Sequence, residues 1–353
     1  MTDPYNYNDP ITDTDDFIGR AAIINKIFSR IGAGRPQSVS IVGEYKIGKT
    51  SLLNYIINND IQRKYFSNPE NYCCLLLPVK QCTGSLKDFV NKLCMLVSQG
   101  TSIPCTPGTI AENYDWFKHT VESITKQNKK LILFFDDFNL ITQNTEFPLE
   151  FFSFMRSLAN NFNVAYVTTS YLDLQQLCSS KDIEESPFFN IFTNVTLRAF
   201  DPKDFDCFIE QIGGNGVLKS EDYKHLLSEM TGNFPFLLQI GKSVLSKITG
   251  INKELTEIEK ILAQGVLVKA KDYFNYIWSN LSQDQQTILQ YIACSRKIKS
   301  SQQYIVNELL YKQLLVENRD GFSIFSRTFK KYIMEKCDIK VPLIVRLKRL
   351  LGF

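Results

Sequence analysis

The amino-acid sequence predicts an α/β fold in its first half, then a helical region, then a small unit of helices with one hairpin. Apolar runs separated by helical segments predict a parallel sheet with helices on both faces, up to about residue 200. Beyond that point helical periodicity continues while strand signals fade. Near residue 320 a turn between two strand-like runs predicts the hairpin.

The first half is expected to contain five strands. Residues 1–16 are polar and acidic, which indicates an extended lead-in, and isoleucines at helical spacing predict a helix over 20–31. The predicted strands are the runs 39–42, 73–79, 131–136, 164–170 and 195–197. The predicted helices between them are 51–57, 86–97, 116–126 and 149–159.

The second half is expected to be mainly helical. A glycine-rich break at 213–216 separates the first two predicted helices, and Ser282 with Gln285 forms a capping-box pattern at the start of a later one. The predicted helices are 201–212, 220–230, 236–248, 254–274, 282–294, 301–313 and 327–336. Two short strands, 314–316 and 322–325, flank the turn at 318–321, and helices with such a hairpin are typical of a winged helix.

Composition places the chain among ordinary soluble globular proteins. Its 353 residues are 44% hydrophobic and 22% charged, and the formal net charge is +3. That charge is too small to indicate a general attraction to nucleic acid. No Cys-x-x-Cys pair is present, so a zinc site has little support. Neither a secretory signal nor an apolar run of about 18 residues is visible, and we expect a cytoplasmic protein.

Residues 43–50 read GEYKIGKT and fill every fixed position of the phosphate-binding pattern G-x-x-x-x-G-K-[ST]. An apolar strand precedes the pattern and a helix follows it, as the chemistry requires, because backbone N–H groups and the helix N-terminus cradle a triphosphate. Lys49 would reach the β and γ phosphates and Thr50 would hold Mg²⁺. The predicted contact residues are Gly43, Glu44, Tyr45, Lys46, Ile47, Gly48, Lys49, Thr50 and Ser51.

A pair of aspartates predicts the catalytic half of the same site. Asp136 and Asp137 follow the apolar run 131–135, which we expect to form a buried strand next to the phosphate-loop strand. Asp136 would hold the Mg²⁺ shell, and Asp137 would orient or deprotonate the attacking water. Asp is one methylene shorter than the Glu found in many ATPases, so we expect slow turnover.

Hydroxyl side chains end the next predicted strand. Thr168, Thr169 and Ser170 follow the apolar run 164–167. Thr169 and Ser170 are candidates for sensing the γ-phosphate or the attacking water. Ordinary strand residues are the alternative reading, since β-branched side chains are common in strands.

Four motifs together resemble the STAND ATPases, the signalling branch of P-loop NTPases that includes NB-ARC proteins. The likeness is strongest to bacterial and archaeal members described as AAA-like ATP-binding proteins, and it covers about residues 10–335. The motifs are FIGR at 17–20, the phosphate loop, the double aspartate and GNFPFLL at 232–238.

The resemblance implies an ATP- and Mg²⁺-dependent enzyme with an AAA-like parallel sheet. By this likeness Phe17, Ile18 and Arg20 border the adenine, with Arg20 near phosphate or lid, and Pro235 packs on the base. The alternatives are a helix start at Arg20 and a helix break at 232–235. The implied domains are a lead-in (1–16), a P-loop core (17–200), a helical lid (201–275), a winged helix (276–338) and a basic amphipathic tail (339–353).

One departure from the family pattern bears on catalytic rate. Many NB-ARC proteins place Arg after the paired Thr of the sensing strand, whereas Ser170 occupies that position here. Without that charge we expect hydrolysis of ATP to ADP to be slow or to need a partner.

Two functions fit the sequence. The first is a nucleotide-controlled switch that acts through a protein partner, or as a homo-oligomer, with defence or stress signalling as the family expectation. The second is a DNA-associated ATPase of the initiator or transposition-helper type. Its predicted recognition helix, 301–312, has one Lys and one Glu, which favours protein packing over DNA binding.

The tail carries apolar and basic residues on different sides of a short helical pattern. Leu343, Leu347, Leu350 and Leu351 share one face, with Arg346, Lys348 and Arg349 largely outside it. Docking on its own domain is favoured over a partner contact, and peripheral membrane binding is the least favoured.

Overall fold

The computed structural model describes residues 7–82, 84–212, 221–248, 254–319 and 321–338. Residues 1–6 of the lead-in, the break at 213–216 and the tail 339–353 lie outside these ranges, as does Asp320 of the predicted turn. The chain divides into a core unit, Pro10–Leu197, and a C-terminal unit formed by the described parts of Met1–Asp9 and Arg198–Phe353.

The core unit contains the predicted parallel sheet, and that prediction is confirmed. Its five strands are β1 Ser38–Val42, β2 Tyr72–Pro78, β3 Lys130–Asp136, β4 Val164–Ser170 and β5 Phe192–Thr196. Their spatial order is β2-β3-β4-β1-β5, with every neighbouring pair parallel.

One expectation about this sheet is wrong. The acidic strand β3 does not lie next to the phosphate-loop strand β1, because β4 lies between them and pairs with both. Strand order depends on how the crossover helices pack, which apolar runs alone do not specify.

Eight helices are described in the core unit. Helix α5 begins six residues earlier than the sequence predicts, since a capping box closes its first turn. The Thr109 hydroxyl accepts a hydrogen bond from the Glu112 N–H, and the Glu112 carboxylate accepts one from the Thr109 N–H. The bounds are α1 Ala21–Ile31, α2 Lys49–Ile57, α3 Asn59–Tyr65, α4 Leu86–Thr101, α5 Ile110–Lys126, α6 Asn139–Thr142, α7 Leu149–Asn161 and α8 Lys181–Glu184.

An aromatic cluster fills the space between the sheet and helices α4, α5 and α7. Phe89 meets Phe147 and Phe151 edge-on, with ring centroids 5.5 Å and 5.6 Å apart. Edge-to-face pairs of this kind add to the stabilisation that burial already provides. All five residues of 131–135 are fully buried, so Asp136 at the end of β3 and Asp137 directly after it are anchored to the core.

The lead-in runs along α2. The Ile11 N–H donates to the Ser51 hydroxyl at 3.0 Å, and the Asn54 amide donates to the Ile11 carbonyl at 3.0 Å. Phe17 stacks on Tyr55 with ring centroids 4.4 Å apart. These contacts tie residues 11–17 to the helix that follows the phosphate loop.

The described residues of the C-terminal unit form helices and one antiparallel hairpin. The expected single helix 254–274 is two helices separated at Ala270, a position where neither Gly nor Pro signals a break. The capping box at Ser282 and Gln285 is confirmed. The elements are α9 Pro202–Ile212, α10 Glu221–Thr231, α11 Pro235–Leu245, α12 Leu255–Lys269, α13 Lys271–Ser279, α14 Gln283–Ala293, α15 Gln303–Tyr311, β6 Leu315–Asn318, β7 Gly321–Ile324 and α16 Arg327–Lys336.

Within the described ranges, no helix combines the length and the apolar character that crossing a bilayer requires.

Candidate nucleotide-binding site

The loop between β1 and α2 has the backbone geometry of an anion cradle. Lys46 and Gly48 adopt left-handed conformations, with φ of 64° and 99°. Gly48 precedes the first turn of α2, and no side chain caps that turn. The N–H groups at the start of a helix carry partial positive charge, so this loop can accept a phosphate group.

Lys49 is held over the loop that precedes it. Its Nζ donates to the carbonyl oxygens of Gly43 at 2.8 Å and Glu44 at 3.1 Å. Burial lowers the pKa of Lys49, and the nearby carboxylates of Asp137, Glu44 and Asp136 oppose that shift. A cation held near its own loop is placed to meet phosphate oxygens there.

Asp136 joins the loop to strand β4. Its Oδ2 accepts a hydrogen bond from the Thr50 hydroxyl at 2.8 Å, and its Oδ1 accepts one from the Thr169 hydroxyl at 2.7 Å. The Thr50 hydroxyl and the Asp136 carboxylate therefore present oxygen atoms side by side. Hard cations such as Mg²⁺ prefer such donors, so these residues fit that ion.

Thr169 also fixes the backbone of the second aspartate. Its hydroxyl accepts a hydrogen bond from the Asp137 N–H at 2.7 Å, and Asp137 has a φ of 58°. The left-handed region is uncommon for non-glycine residues, although Asp adopts it more readily than most. One threonine thus orients both members of the acidic pair.

Lys80 is a member of this site that sequence reasoning missed. It lies in the 3₁₀ helix Val79–Gln81, directly after β2, and its Nζ is 2.7 Å from Asp137 Oδ2. The hydrogen bond to Asp137 raises the pKa of Lys80. The register of β2 against β3, which pairs Pro78 with Asp136, brings Lys80 here. The signal in the sequence was a lysine directly after a predicted strand. Whether that lysine reaches the acidic pair depends on the register of β2 against β3.

The remaining predicted residues of the core unit are placed as follows. The Ser51 hydroxyl accepts the Ile11 N–H, and Phe17 stacks on Tyr55. Ile18 and Arg20 are buried, and Arg20 is left-handed immediately before α1. Tyr45 is half-exposed, and its N–H donates to the Glu44 carboxylate at 2.8 Å.

The hydroxyls at the end of β4 differ from one another. Ser170 is fully buried, and its hydroxyl donates to the Leu172 carbonyl at 2.6 Å. Thr168 is also fully buried, and its hydroxyl has no hydrogen-bond partner among the described residues. Of the three, Thr169 alone contacts the acidic pair within the described part of the chain.

Pro235 belongs to the C-terminal unit, where it begins α11. The turn before it has two left-handed residues, Gly232 at φ 61° and Asn233 at φ 55°. A Cβ on Gly232 would lie 2.1 Å from the Phe325 carbonyl oxygen, so glycine is required there. The Asn233 carbonyl accepts the Phe200 N–H at 2.9 Å.

Solved structures with a similar fold include proteins of Pyrococcus abyssi and Aeropyrum pernix. A Walker-type ATPase of Pyrococcus abyssi has a TM-score of 0.62 at 13% sequence identity, covering 92% of this chain and 98% of that one. The Aeropyrum pernix ORC2 protein, in ADPNP–ADP complexes, has a TM-score of 0.59 at 12% identity, covering 92% and 98%. Its ADP form has a TM-score of 0.54 at 12% identity, covering 92% and 97%. No curated protein matches the chain in sequence.

The sheet order, the phosphate loop and these likenesses define a P-loop NTPase fold. The family model described as Novel STAND NTPase 2 matches residues 33–297, which is more than half of the chain. The chain therefore belongs to that STAND family, as its motifs predict.

Proposed function

We propose that this chain is a Mg²⁺-dependent ATP-binding switch that hydrolyses ATP slowly and acts through a protein partner. The observation that carries the proposal is the run of contacts from Thr50 through Asp136 and Thr169 to Asp137, with hydrogen bonds of 2.7–2.8 Å. This series of hydrogen bonds connects the phosphate loop to Asp137, the carboxylate proposed to orient the attacking water.

The loop and its lysine bind the phosphates in this proposal. The backbone of residues 43–51, from Gly43 to Ser51, would hold the phosphates, and Lys49 would give up its two carbonyl contacts to bind phosphate oxygens. Thr50 and Asp136 would hold Mg²⁺, which would supply charge neutralisation at the phosphates. Most of the rate enhancement then comes from positioning and electrostatic stabilisation.

Asp137 orients the water and accepts its proton. In the structure its carboxylate is occupied by Lys80 at 2.7 Å. The Lys80 ammonium therefore competes with the attacking water for a carboxylate oxygen of Asp137. Slow basal turnover follows from this pairing and from the short aspartate side chain.

The adenine contacts are assigned by the family likeness, and the sensor contacts by their position at the end of β4. Ile18, Arg20 and Pro235 remain the proposed adenine and lid contacts, with Phe17 contributing through its stack on Tyr55. Thr169 acts by orienting the two aspartates. Ser170 also remains a proposed sensor, and its hydroxyl would have to leave the Leu172 carbonyl to donate to a phosphate.

The C-terminal unit is proposed to read the nucleotide state. Residues 201–275 serve as a helical lid and residues 276–338 as a winged helix, in which β6 and β7 pair between α15 and α16. Exchange of ATP for ADP changes which arrangement is favoured, and a protein partner or further copies of the chain respond.

The proposal is tested by measuring ATP binding, turnover and retained partners in one pair of proteins. Asp137→Asn should bind ATP as tightly as wild type while its turnover falls, and it should retain a specific protein that wild type releases. ATP binding lost in this variant, or unchanged turnover, would contradict the assigned role of Asp137.

DNA-associated ATPase activity is the second candidate. The observation in its favour is three exposed basic residues before α15, Arg296, Lys297 and Lys299. Binding to duplex DNA that weakens steeply with salt, and that is lost in the triple alanine variant, would establish this function instead.

A further inference from the structure

A second cleft in the core unit lies beside the edge strand β5. Its volume is about 320 Å³, which is at the small end for a ligand site. None of its lining residues belongs to the phosphate loop or to the acidic pair. Those that matter for recognition are Ser40, Asp173, Glu184, Phe189, Phe192 and Asn194.

Ser40 carries an unmet hydrogen-bonding requirement at this cleft. It lies in the middle of β1, between Thr168 of β4 and Asn194 of β5, and is 1% exposed. Its Oγ has no hydrogen-bond partner among the described residues. Buried hydroxyls are normally paired, so one without a partner on the wall of a cleft points to a ligand that supplies the bond.

The electrostatic character of the cleft is acidic. Asp173 and Glu184 both line it, and none of the lining residues is a lysine or arginine. The Asn194 side-chain amide donates to Asp173 Oδ1 at 2.9 Å, and the Gln175 side-chain amide donates to the Glu184 carbonyl at 3.0 Å. These bonds fix the Asp173 carboxylate and the backbone of Glu184 in the cleft wall. An anionic ligand would be repelled there.

Two aromatic rings complete the lining. Phe189 and Phe192 are half-buried, and Phe188 packs edge-on against Phe192 with ring centroids 5.2 Å apart. The negative face of an aromatic ring attracts an ammonium or guanidinium group, and nearby carboxylates add to that attraction. A metal ion fits less well, because the described residues contain no group of three or more metal-binding side chains.

We propose that this cleft binds a small organic cation, namely a primary ammonium or guanidinium group. The carboxylates of Asp173 and Glu184 supply the charge, the Phe rings contact the alkyl stem and the cation, and the Ser40 hydroxyl accepts a ligand N–H. The group belongs either to a free amine or to a Lys or Arg side chain of a partner protein. Binding at this cleft does not depend on ATP hydrolysis.

Calorimetric titration of the nucleotide-free full chain at low salt tests the ligand class. The probes are n-butylamine and butylguanidine, with 1-butanol and butylurea as neutral compounds of similar shape. The cations should bind about tenfold more tightly than their neutral counterparts. Equal affinities, or no detectable binding of the cations, would overturn the proposal.

Matched variants locate the binding. Glu184→Gln and Asp173→Asn should each weaken cation binding about tenfold, and Ser40→Ala about threefold, because each removes one attraction. Asp182→Asn is the control, since Asp182 is an exposed acid of the same short helix α8 and does not line the cleft. If Asp182→Asn weakened binding as much as Glu184→Gln, the attraction would be a general surface charge effect and the cleft would not be a site.

Two further measurements are needed. One distinguishes a free amine from a partner's side chain as the ligand, and the other distinguishes this cleft from the proposed ATP site. Agmatine stands for a free amine, and capped lysine and arginine (Nα-acetyl amides) stand for a partner's side chains. Binding of either class at the cleft supports the proposal, and the class that binds more tightly identifies the source of the cation. Lys49→Ala should lose ATP binding and keep cation binding, so failure at one site is distinguishable from failure at the other.

Discussion

Two motifs of this chain contain left-handed residues ahead of a helix, yet the structure uses them differently. Around the phosphate loop, polar atoms of Thr50, Asp136 and Thr169 converge on one another. Around the turn at 232–235, Gly232 accommodates the Phe325 carbonyl, and the Asn233 carbonyl accepts a backbone N–H. The first arrangement presents side chains suited to chemistry, and the second meets a packing requirement. A recognisable motif can therefore serve either purpose, and substitutions can separate the two.

The largest expected effect is on ligand binding at the phosphate loop. Lys49→Ala should weaken ATP binding about 100-fold, because a buried cation facing the phosphates is removed. Calorimetric titration with MgATP measures this loss. Lys64→Ala, an exposed lysine on α3, is the control and should bind as wild type does. Equal affinities in all three proteins would remove Lys49 from the site.

The next effect separates catalysis from binding. Asp137→Asn should lower turnover about 100-fold or more while ATP affinity is kept, as expected for loss of a general base. Steady-state phosphate release measures the rate. Asp60→Asn changes the same chemical group at an exposed position on α3 and should leave the rate unchanged.

Substitution in the turn at 232–235 of the C-terminal unit should lower the stability of the protein. Gly232→Ala should destabilise the protein by about 3 kcal/mol, because the new Cβ meets the Phe325 carbonyl in a left-handed backbone. Gly321→Ala is the matched control, since Gly321 has a φ of 122° but open space around it. Its cost should be about 1 kcal/mol. Urea denaturation measures the free energy of unfolding of both variants. Equal losses of stability would show that close packing against Phe325 is not the reason for glycine at position 232.

The smallest effect concerns Lys80. Lys80→Met should raise turnover about threefold at unchanged ATP affinity, because the Lys80 ammonium occupies a carboxylate oxygen of Asp137 that the attacking water needs. The hydrogen bond to Asp137 raises the pKa of Lys80 above its ordinary 10.5, so Lys80 stays charged well above neutral pH. The ratio of variant to wild-type rate should therefore be constant from about pH 6 to 9.

Lys87→Met, which replaces an exposed lysine on α4, is the control. A lower rate in Lys80→Met would mean that Lys80 assists catalysis.

Sequence patterns could predict whatever depends on local composition. The buried run 131–135 and the pattern at 43–50 specified a strand and a loop without reference to the rest of the chain. The expected strand 195–197 is instead Phe192–Thr196, because this edge strand is mostly not buried and lacks a continuous apolar run. The strand order, the place of Lys80 and the acidic cleft depend on which segments pack together, and no local pattern carries that information.

The central claim is that ATP and ADP favour different arrangements of this chain. Amide hydrogen exchange should be compared between Asp137→Asn with MgATP and the same variant with MgADP. The proposed switch predicts a difference in protection in the C-terminal unit, outside the phosphate loop. If the differences in protection were confined to residues 43–51, nucleotide binding would not change the C-terminal unit. That result would contradict the switch.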